Sequence, residues 1–281
     1  MSEPTYRIDR PSVFMHVTPD IAGEVSDELP YGTGVRKLSG PFDAAGHGSY
    51  YRCETEYGYC GYLHEKYLNN PDEADGEEPL YPFVVTAPYC DVLIDSLYKY
   101  RPIVTLPRGA RVYARRERLG ADRFFPILHK KRRCFVPSAA LRPYKECRTA
   151  VSGDEGETLR RRVCDDALSY LGTPYRWGGR TPSGIDCSGL CFTAFFLNGL
   201  VLWRDAFADK RYVHEIGETE LLPADLIYFK GHMAMYIGGG EYVHASASAG
   251  CVTVNSLHKE SLIYRDDLAQ KVVCFARSNR L

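Results

Sequence analysis

Two periodicities divide the chain. In residues 157–172 the apolar side chains Leu159, Val163, Ala167 and Leu171 return at every fourth position, the period of a helix with one buried face. Gly172 stands where such a helix stops. A second helical run, "SGLCFTAFFLNG" (188–199), offers Leu190, Cys191, Ala194, Phe195 and Leu197 for burial and ends at Gly199. Beyond it the pattern shortens. "LIYF", "HMAMYIG", "EYVHASA" and "CVTVNS" are strand-like runs joined by glycine-rich turns. Helices first and strands afterwards predict an α+β domain.

The first half shows no helical period. Short β-branched and aromatic runs such as "FVVTA", "RPIVTLPRGARVYAR" and "KRRCFVP" are broken by Gly and Pro, which predicts small all-β units. Two of these units repeat each other. "LPYGTGV" (Leu29–Val35) matches "LPRGARV" (Leu106–Val112) at an offset of 77 residues. "CGYLHEKYL" (Cys60–Leu68) answers "RCFVPSAAL" (Arg133–Leu141) at an offset of 73. The polar stretches "NNPDEADGEEP" (69–79) and "VSGDEGE" (151–157) read as linkers. The predicted domains are therefore 1–74, 80–149 and 157–281.

Composition narrows the function classes. The formal net charge is −1 over 281 residues, which gives no global pull toward nucleic acid or an anionic membrane. No apolar run approaches the roughly 20 residues of a membrane span. The first residues, "MSEPTYRIDRPSVF", lack a basic segment followed by an apolar one, so no signal peptide is read. Ten cysteines are scattered without a C-x-x-C pair. Cysteines used as small buried hydrophobes fit a reducing compartment. The expectation is a cytoplasmic protein, or a secreted one if a signal peptide was removed.

One cysteine stands apart. In "YRWGGRTPSGIDCSGLCFTAFF" (175–196), Cys187 follows a glycine-rich loop and opens the second helix. Asp186 is placed to cap that helix, which puts the sulfur at its N-terminus. There the macrodipole and open N–H groups favour an anion, an environment that lowers a thiol pKa from about 8.5 toward neutrality. Gly178, Gly179 and Gly184 leave bare backbone for a substrate to approach. Ser188 and Gly189 offer N–H groups where an oxyanion would form. A nucleophile needs a base. His47, His129 and His258 lie in polar surroundings and read as surface residues. His232 and His244 flank the turn Gly238–Gly240. If the flanking runs pair as a hairpin, His244 lies opposite residue 234. Both histidines then share one face as diagonal neighbours. One can act on the thiol while the other holds its ring. No third ligand sits at a fitting interval, so a metal site is not read.

These residues resemble the NlpC/P60 family of cysteine peptidases, papain-like enzymes that cut bacterial cell-wall peptides. The resemblance is carried in family order by "GTPYRWGG" (172–179), "DCSGL" (186–190), "LLPADLIYF" (221–229), "GHMAMYIGGG" (231–240) and "YVHASA" (242–247). It implies Cys187 as nucleophile, His232 as general base and His244 as the residue that orients it. Ala224 stands where the family has Gly. The front half is similar to paired SH3-like barrels that precede such a domain in the γ-D-glutamyl-L-diamino acid endopeptidases of dipeptidyl-peptidase VI type. "WRDA" (203–206) falls where that type carries Arg-Asp-Ser, with Ala206 replacing the Ser.

The fold implied is α+β, a papain-like catalytic domain behind two small SH3-like β-barrels. The resemblance places Tyr175, Asp186, Ser188, Arg204 and Asp205 at the substrate. Asp186, besides its role as helix cap, is a candidate for a substrate amine, and Arg204 either forks onto the α-carboxylate of D-Glu or forms a solvated surface pair with Asp205. The activity implied is hydrolysis of the γ-D-glutamyl–L-diamino acid bond in stem peptides with a free N-terminal L-Ala. A peptidoglycan-derived peptide is the partner implied, with no cofactor, metal, nucleic acid or membrane. Two other readings are an amidase or acyltransferase on the same scaffold, and an inert wall-binding protein. The presence of Cys187, His232 and His244 together argues against the last.

Overall fold

The computed structural model describes residues 6–44, 46–68, 79–99, 101–147 and 149–281. The stretch 69–79, expected to be a linker, lies outside the described residues but for Pro79. The chain divides into two compact units. One holds residues 1–144 and 180–182, the other 145–179 and 183–281.

The first unit is built from strands. Six of them, within residues 6–64, form an antiparallel sheet in the order Tyr6–Arg7, Gly34–Asp43, Ser49–Thr55, Cys60–His64, Ser12–His16, Val25–Pro30. Five more, within residues 81–143, follow the order Arg132–Pro137, Phe124–His129, Arg111–Ala114, Tyr81–Val85, Leu141–Pro143. A two-stranded ladder of Tyr89–Val92 and Val104–Pro107 accompanies them. Phe83, Val85, Leu106, Val112, Phe125 and Val136 make up much of the second sheet's core.

The repeat seen in the sequence is a repeat of hydrogen bonds. Gly32 N–H donates to the Ile8 carbonyl and Gly109 N–H to the Val85 carbonyl. Ile8 N–H donates to Thr33 and Val85 N–H to Ala110. Tyr31 N–H donates to Pro11 and Arg108 N–H to Pro88. Each pair is displaced by the same 77 residues. Gly32 and Gly109 have φ of +79° and +87°, so the fourth position of each L-P-x-G turn needs the left-handed backbone that glycine adopts without strain. The second match also holds. The 3₁₀ turns Glu65–Tyr67 and Ser138–Ala140 close the two units at the offset of 73.

His129 departs from expectation. It is buried, and its Nδ1 lies 2.9 Å from the Tyr31 hydroxyl. A polar sequence neighbourhood concealed a partner 98 residues away. Residues 180–182 complete this unit. Arg180 is buried on Asp27 and Tyr57, and its backbone N–H meets Glu28 Oε2 at 2.9 Å.

In the second unit, helix α1 spans Gly153–Leu168 and helix α2 spans Cys187–Phe196. The segment 151–157 is thus not a linker. Ser152 is the N-cap, and Asp154 and Glu155 occupy the first turn, where acidic side chains favour the helix dipole. Leu159, Val163 and Ala167 are buried as their period predicted. The helix ends before Leu171, which is half exposed. All ten residues of α2 are buried, so it is a core helix without a wet face.

Six antiparallel strands form the sheet, in the order Val213–Ile216, Val272–Ser278, Leu226–Phe229, His232–Gly238, Glu241–Ser246, Cys251–Ser256. The four middle-to-edge strands are those expected from the sequence. The first two pair across more than fifty residues and had escaped it. α2 packs on α1 and on the two histidine-bearing strands. Its C-terminal end is held at Gly199. The Gly199 carbonyl accepts from Cys147 N–H at 2.7 Å, and a Cβ there would lie 2.0 Å from the Lys145 carbonyl oxygen.

All ten cysteines are free thiols and six are buried. Among the described residues, no helix is long and apolar enough to cross a membrane.

Candidate active site

Cys187 is the first residue of α2, and Asp186 is its N-cap. The cap carboxylate is saturated. Its Oδ1 accepts from Gly189 N–H at 2.6 Å, from Ser188 Oγ at 3.3 Å and from Arg204 Nη1 at 3.1 Å. Its Oδ2 accepts from Gly178 N–H at 2.8 Å and from Arg204 Nη2 at 3.1 Å. Arg204 Nη1 also donates to Ser188 Oγ at 2.8 Å, and only 2% of Arg204 is exposed. Of the first helical N–H groups, Gly189 and Leu190 are thus taken by Asp186, through its carboxylate and its carbonyl. Ser188 N–H turns to the Cys187 sulfur, as does Met233 N–H, next in chain to His232.

The loop glycines serve the fold. A Cβ on Gly179 would lie 2.3 Å from the Gly184 carbonyl, and one on Gly184 would strike the Arg176 side chain at 2.7 Å. These glycines allow the loop to close on itself, rather than leaving bare backbone for a substrate.

The two histidines meet as the hairpin reading required. Met235 faces Val243 and Tyr236 faces Tyr242, so the ladder continues to 234 opposite 244. His232 Nε2 lies 2.7 Å from His244 Nδ1, and His244 Nε2 lies 2.8 Å from Asn255 Oδ1. Asn255 Nδ2 donates to the Ile263 carbonyl at 2.7 Å. Phe229 packs beside the His232 ring, and Tyr242 beside His244.

Burial governs the electrostatics. It is the largest influence on the Cys187 thiol, which it pushes up with help from the Asp186 carboxylate to about 11. The N–H groups of Met233 and Ser188 and the Arg204 cation pull the other way without prevailing. Burial thus works against the acidic thiol expected at a helix N-terminus. A helix N-terminus lowers a thiol pKa only where the sulfur stays wet enough, and Cys187 is 7% exposed beside a carboxylate. His232 moves the opposite way, to about 3, through burial first, then His244 and Arg265. Burial likewise lowers His244, although its bond to Asn255 favours the cation. At neutral pH the site rests as a neutral thiol beside two neutral imidazoles. The half-buried Tyr175 phenol is pushed up to about 12 by burial and by the nearby Cys187 and Asp186.

Sequence comparison decides the family. A dipeptidyl-peptidase 6 from Lysinibacillus sphaericus is 32% identical over 265 residues, spanning 92% of this chain and 93% of the relative. The NlpC/P60 family profile matches residues 172–270. The chain belongs to the NlpC/P60 family. The murein DD-endopeptidase MepS/murein LD-carboxypeptidase of Escherichia coli K12 is 33% identical over 134 residues, 43% of this chain and 71% of that one. An NlpC/P60 protein from Bacillus cereus ATCC 10987 shares the fold over 98% of this chain and 99% of its own, with a TM-score of 0.77 at 18% identity.

The NlpC/P60 motifs thus bring Cys187, His232, His244 and Tyr175 into one neighbourhood. Asp186, Ser188 and Arg204 join it differently from expectation. The carboxylate and guanidinium assigned to substrate face each other, so neither is open to an amine or a carboxylate. Asp205 is half-buried next to Arg204 in the chain. Asn255 was overlooked. Its signal was a polar side chain within the strand-like run "CVTVNS", two residues past Thr253, the residue opposite His244. A diagonal partner at that register is readable once the hairpin is extended by one strand.

Proposed function

We propose that this enzyme hydrolyses the γ-D-glutamyl–L-diamino acid bond of peptidoglycan stem peptides that carry a free N-terminal L-Ala. One observation carries the reading. Similarity to the L. sphaericus dipeptidyl-peptidase 6 covers 92% of the chain and so takes in the strand-built front unit, whereas similarity to MepS covers 43% of it. A relation limited to the catalytic segment would leave the bond unassigned.

In this reading the two front sheets are SH3-like barrels that precede the catalytic domain, and that domain takes in the whole of α1 from Gly153. The protein works in the cytoplasm on already trimmed fragments. Cys187 is the nucleophile and His232 the general base. Because thiol and imidazole both rest neutral, the proton moves from sulfur to His232 as sulfur attacks the carbonyl carbon. The N–H of Cys187, at the open start of α2, faces the developing oxyanion. His232 then returns the proton to the leaving amine, and water hydrolyses the thioester. No cofactor enters these steps.

The test is mass spectrometry of products from L-Ala-γ-D-Glu-L-diamino acid peptides, each with a free or an acetylated N-terminus. Release of L-Ala-D-Glu from the free peptide alone is the expected result. Equal rates on both peptides would remove the free-amine requirement. On a muramoyl-linked stem peptide run alongside, cleavage only at the muramoyl–L-Ala bond would make the enzyme an amidase, and transfer to an added amine would make it an acyltransferase.

A further inference from the structure

The hydrogen-bond chain behind His232 has one consistent direction, and Asn255 sets it. The Ile263 carbonyl can only accept. Asn255 Nδ2, 2.7 Å from it, must be the donating end of the amide. Reversing the amide would oppose two acceptors, Oδ1 and the Ile263 carbonyl oxygen, at that contact. Asn255 Oδ1 therefore faces His244 Nε2 at 2.8 Å, and that nitrogen carries the hydrogen. Burial keeps His244 neutral, so its Nδ1 is bare and accepts. His232 Nε2, 2.7 Å away, must then donate. His232 is neutral as well, so the lone pair left over is on its Nδ1.

From this we infer that Asn255 is a positioning residue of the catalytic chain. It rests on the assignment of His232 as base. Asn255 is 8% exposed and touches neither the thiol nor His232 in the contacts described. It acts through His244 by selecting which nitrogen of each ring is protonated. The selecting contact is a main-chain carbonyl, which has no second state to offer.

The amide also ends the chain. An amide oxygen is a very weak base, so a proton taken from Cys187 by His232 has no acceptor beyond His244. The proton stays on the ring that must return it to the leaving amine. A carboxylate at the same place would accept a share of that charge and favour the imidazolium before attack.

The experiment combines a spectrum with kinetics. In ¹⁵N-histidine-labelled wild-type enzyme at neutral pH, NMR should show both rings neutral with hydrogen on Nε2 and a bare Nδ1. Hydrogen on Nδ1 of either ring would overturn the inference. This measurement needs no turnover, so it stands or falls apart from the choice of substrate. In Asn255→Leu, which cannot accept, kcat should fall about 10–100-fold with KM changed less than about threefold, and the His244 signals should report mixed tautomers. A folded Asn255→Leu enzyme with wild-type kcat, or with the loss confined to KM, would also overturn it. If that variant does not fold, the wild-type spectrum alone decides. Asn255→Asp keeps an acceptor oxygen, so His244 Nε2 should stay fully protonated, whether the ring is neutral or cationic. A mixture there as well would show that acceptance at this position does not select the tautomer.

Discussion

Two polar networks adjoin Cys187, one through its chain neighbours Asp186 and Ser188 and one through Met233, which follows His232, and they are built in opposite ways. The first is charged and closed. Asp186 takes five donors, and Arg204 grips it with two nitrogens while also holding Ser188. The second is neutral and open at one end. His232, His244 and Asn255 form a line anchored on the Ile263 carbonyl, and its far end is a bare ring nitrogen. Saturation makes the first network a fixture of the fold, because every lone pair is spent within the protein. The second retains one unspent lone pair, and that is the group available for chemistry. A buried ion pair beside a nucleophile is thus no sign of a substrate site. The number of partners already satisfied separates the two cases.

The contrast is tested most severely at the reactive network. Cys187→Ala should abolish turnover, a loss of at least about 10⁴, with an unfolding midpoint near wild type. His232→Ala should cost more than His244→Ala, whose orienting role is worth on the order of 10³–10⁴ in rate. A His244→Ala enzyme near wild type would detach the line of imidazoles from catalysis.

The thiol offers a second test, read by alkylation against pH. Only the thiolate reacts. With Cys187 raised to about 11, the rate at this residue should climb about tenfold per pH unit from 7 to 10 without levelling. A plateau reached below pH 7 would mean a preformed thiolate–imidazolium pair, and the neutral line would be wrongly assigned. Peptide mapping of the alkylated site keeps the nine other cysteines out of the measurement.

The closed network should respond in stability. Arg204→Ala leaves a buried carboxylate without its cation and should cost about 3–5 kcal/mol in denaturant unfolding. Arg204→Lys should recover only part of this, since an ammonium cannot grip both carboxylate oxygens. If Arg204→Ala unfolds like wild type but loses substrate affinity, the guanidinium is a substrate ligand and the closed reading fails.

The smallest effect lies outside both networks. Ala224 has φ +69° and is fully buried, the left-handed backbone that costs a non-glycine residue about 1–2 kcal/mol. Ala224→Gly should raise stability by about 1 kcal/mol, once the extra freedom of glycine in the unfolded chain is subtracted. No gain in thermal unfolding would mean that the Ala224 methyl packs well enough to offset the strain.

What the sequence disclosed follows the range of each interaction. The α2 start, the Asp186 cap and the facing histidines depend on neighbours within a turn or a hairpin, and they are where local patterns placed them. The Arg204–Asp186 grip spans 18 residues of loop and helix, so spacing alone left Arg204 free to be read as a substrate ligand. Asn255 needed the register of a third strand. The paired strands Val213–Ile216 and Val272–Ser278 needed a contact across the whole sheet. The thiol was misread for a different reason. A helix terminus is visible in a sequence, but the depth at which the fold buries it is not.

The duplicated turn of the first unit bears on how this chain finds its own structure. Both copies use the same backbone donors and acceptors, displaced by 77 residues, so the main chain alone does not distinguish the right partner strand from its counterpart in the other copy. Neighbouring repeats of that kind invite kinetic traps in which one copy docks on the other's strand. Discrimination falls to the side chains that differ within the shared frame, Tyr31 against Arg108 and Thr33 against Ala110. Arg108 stays within its own copy, where Nε reaches the Thr86 carbonyl at 2.7 Å, whereas Tyr31 crosses to the other copy and meets the ring of His129. Divergence inside the repeat therefore does more than tell the copies apart, because it gives one of them a side chain that binds the other.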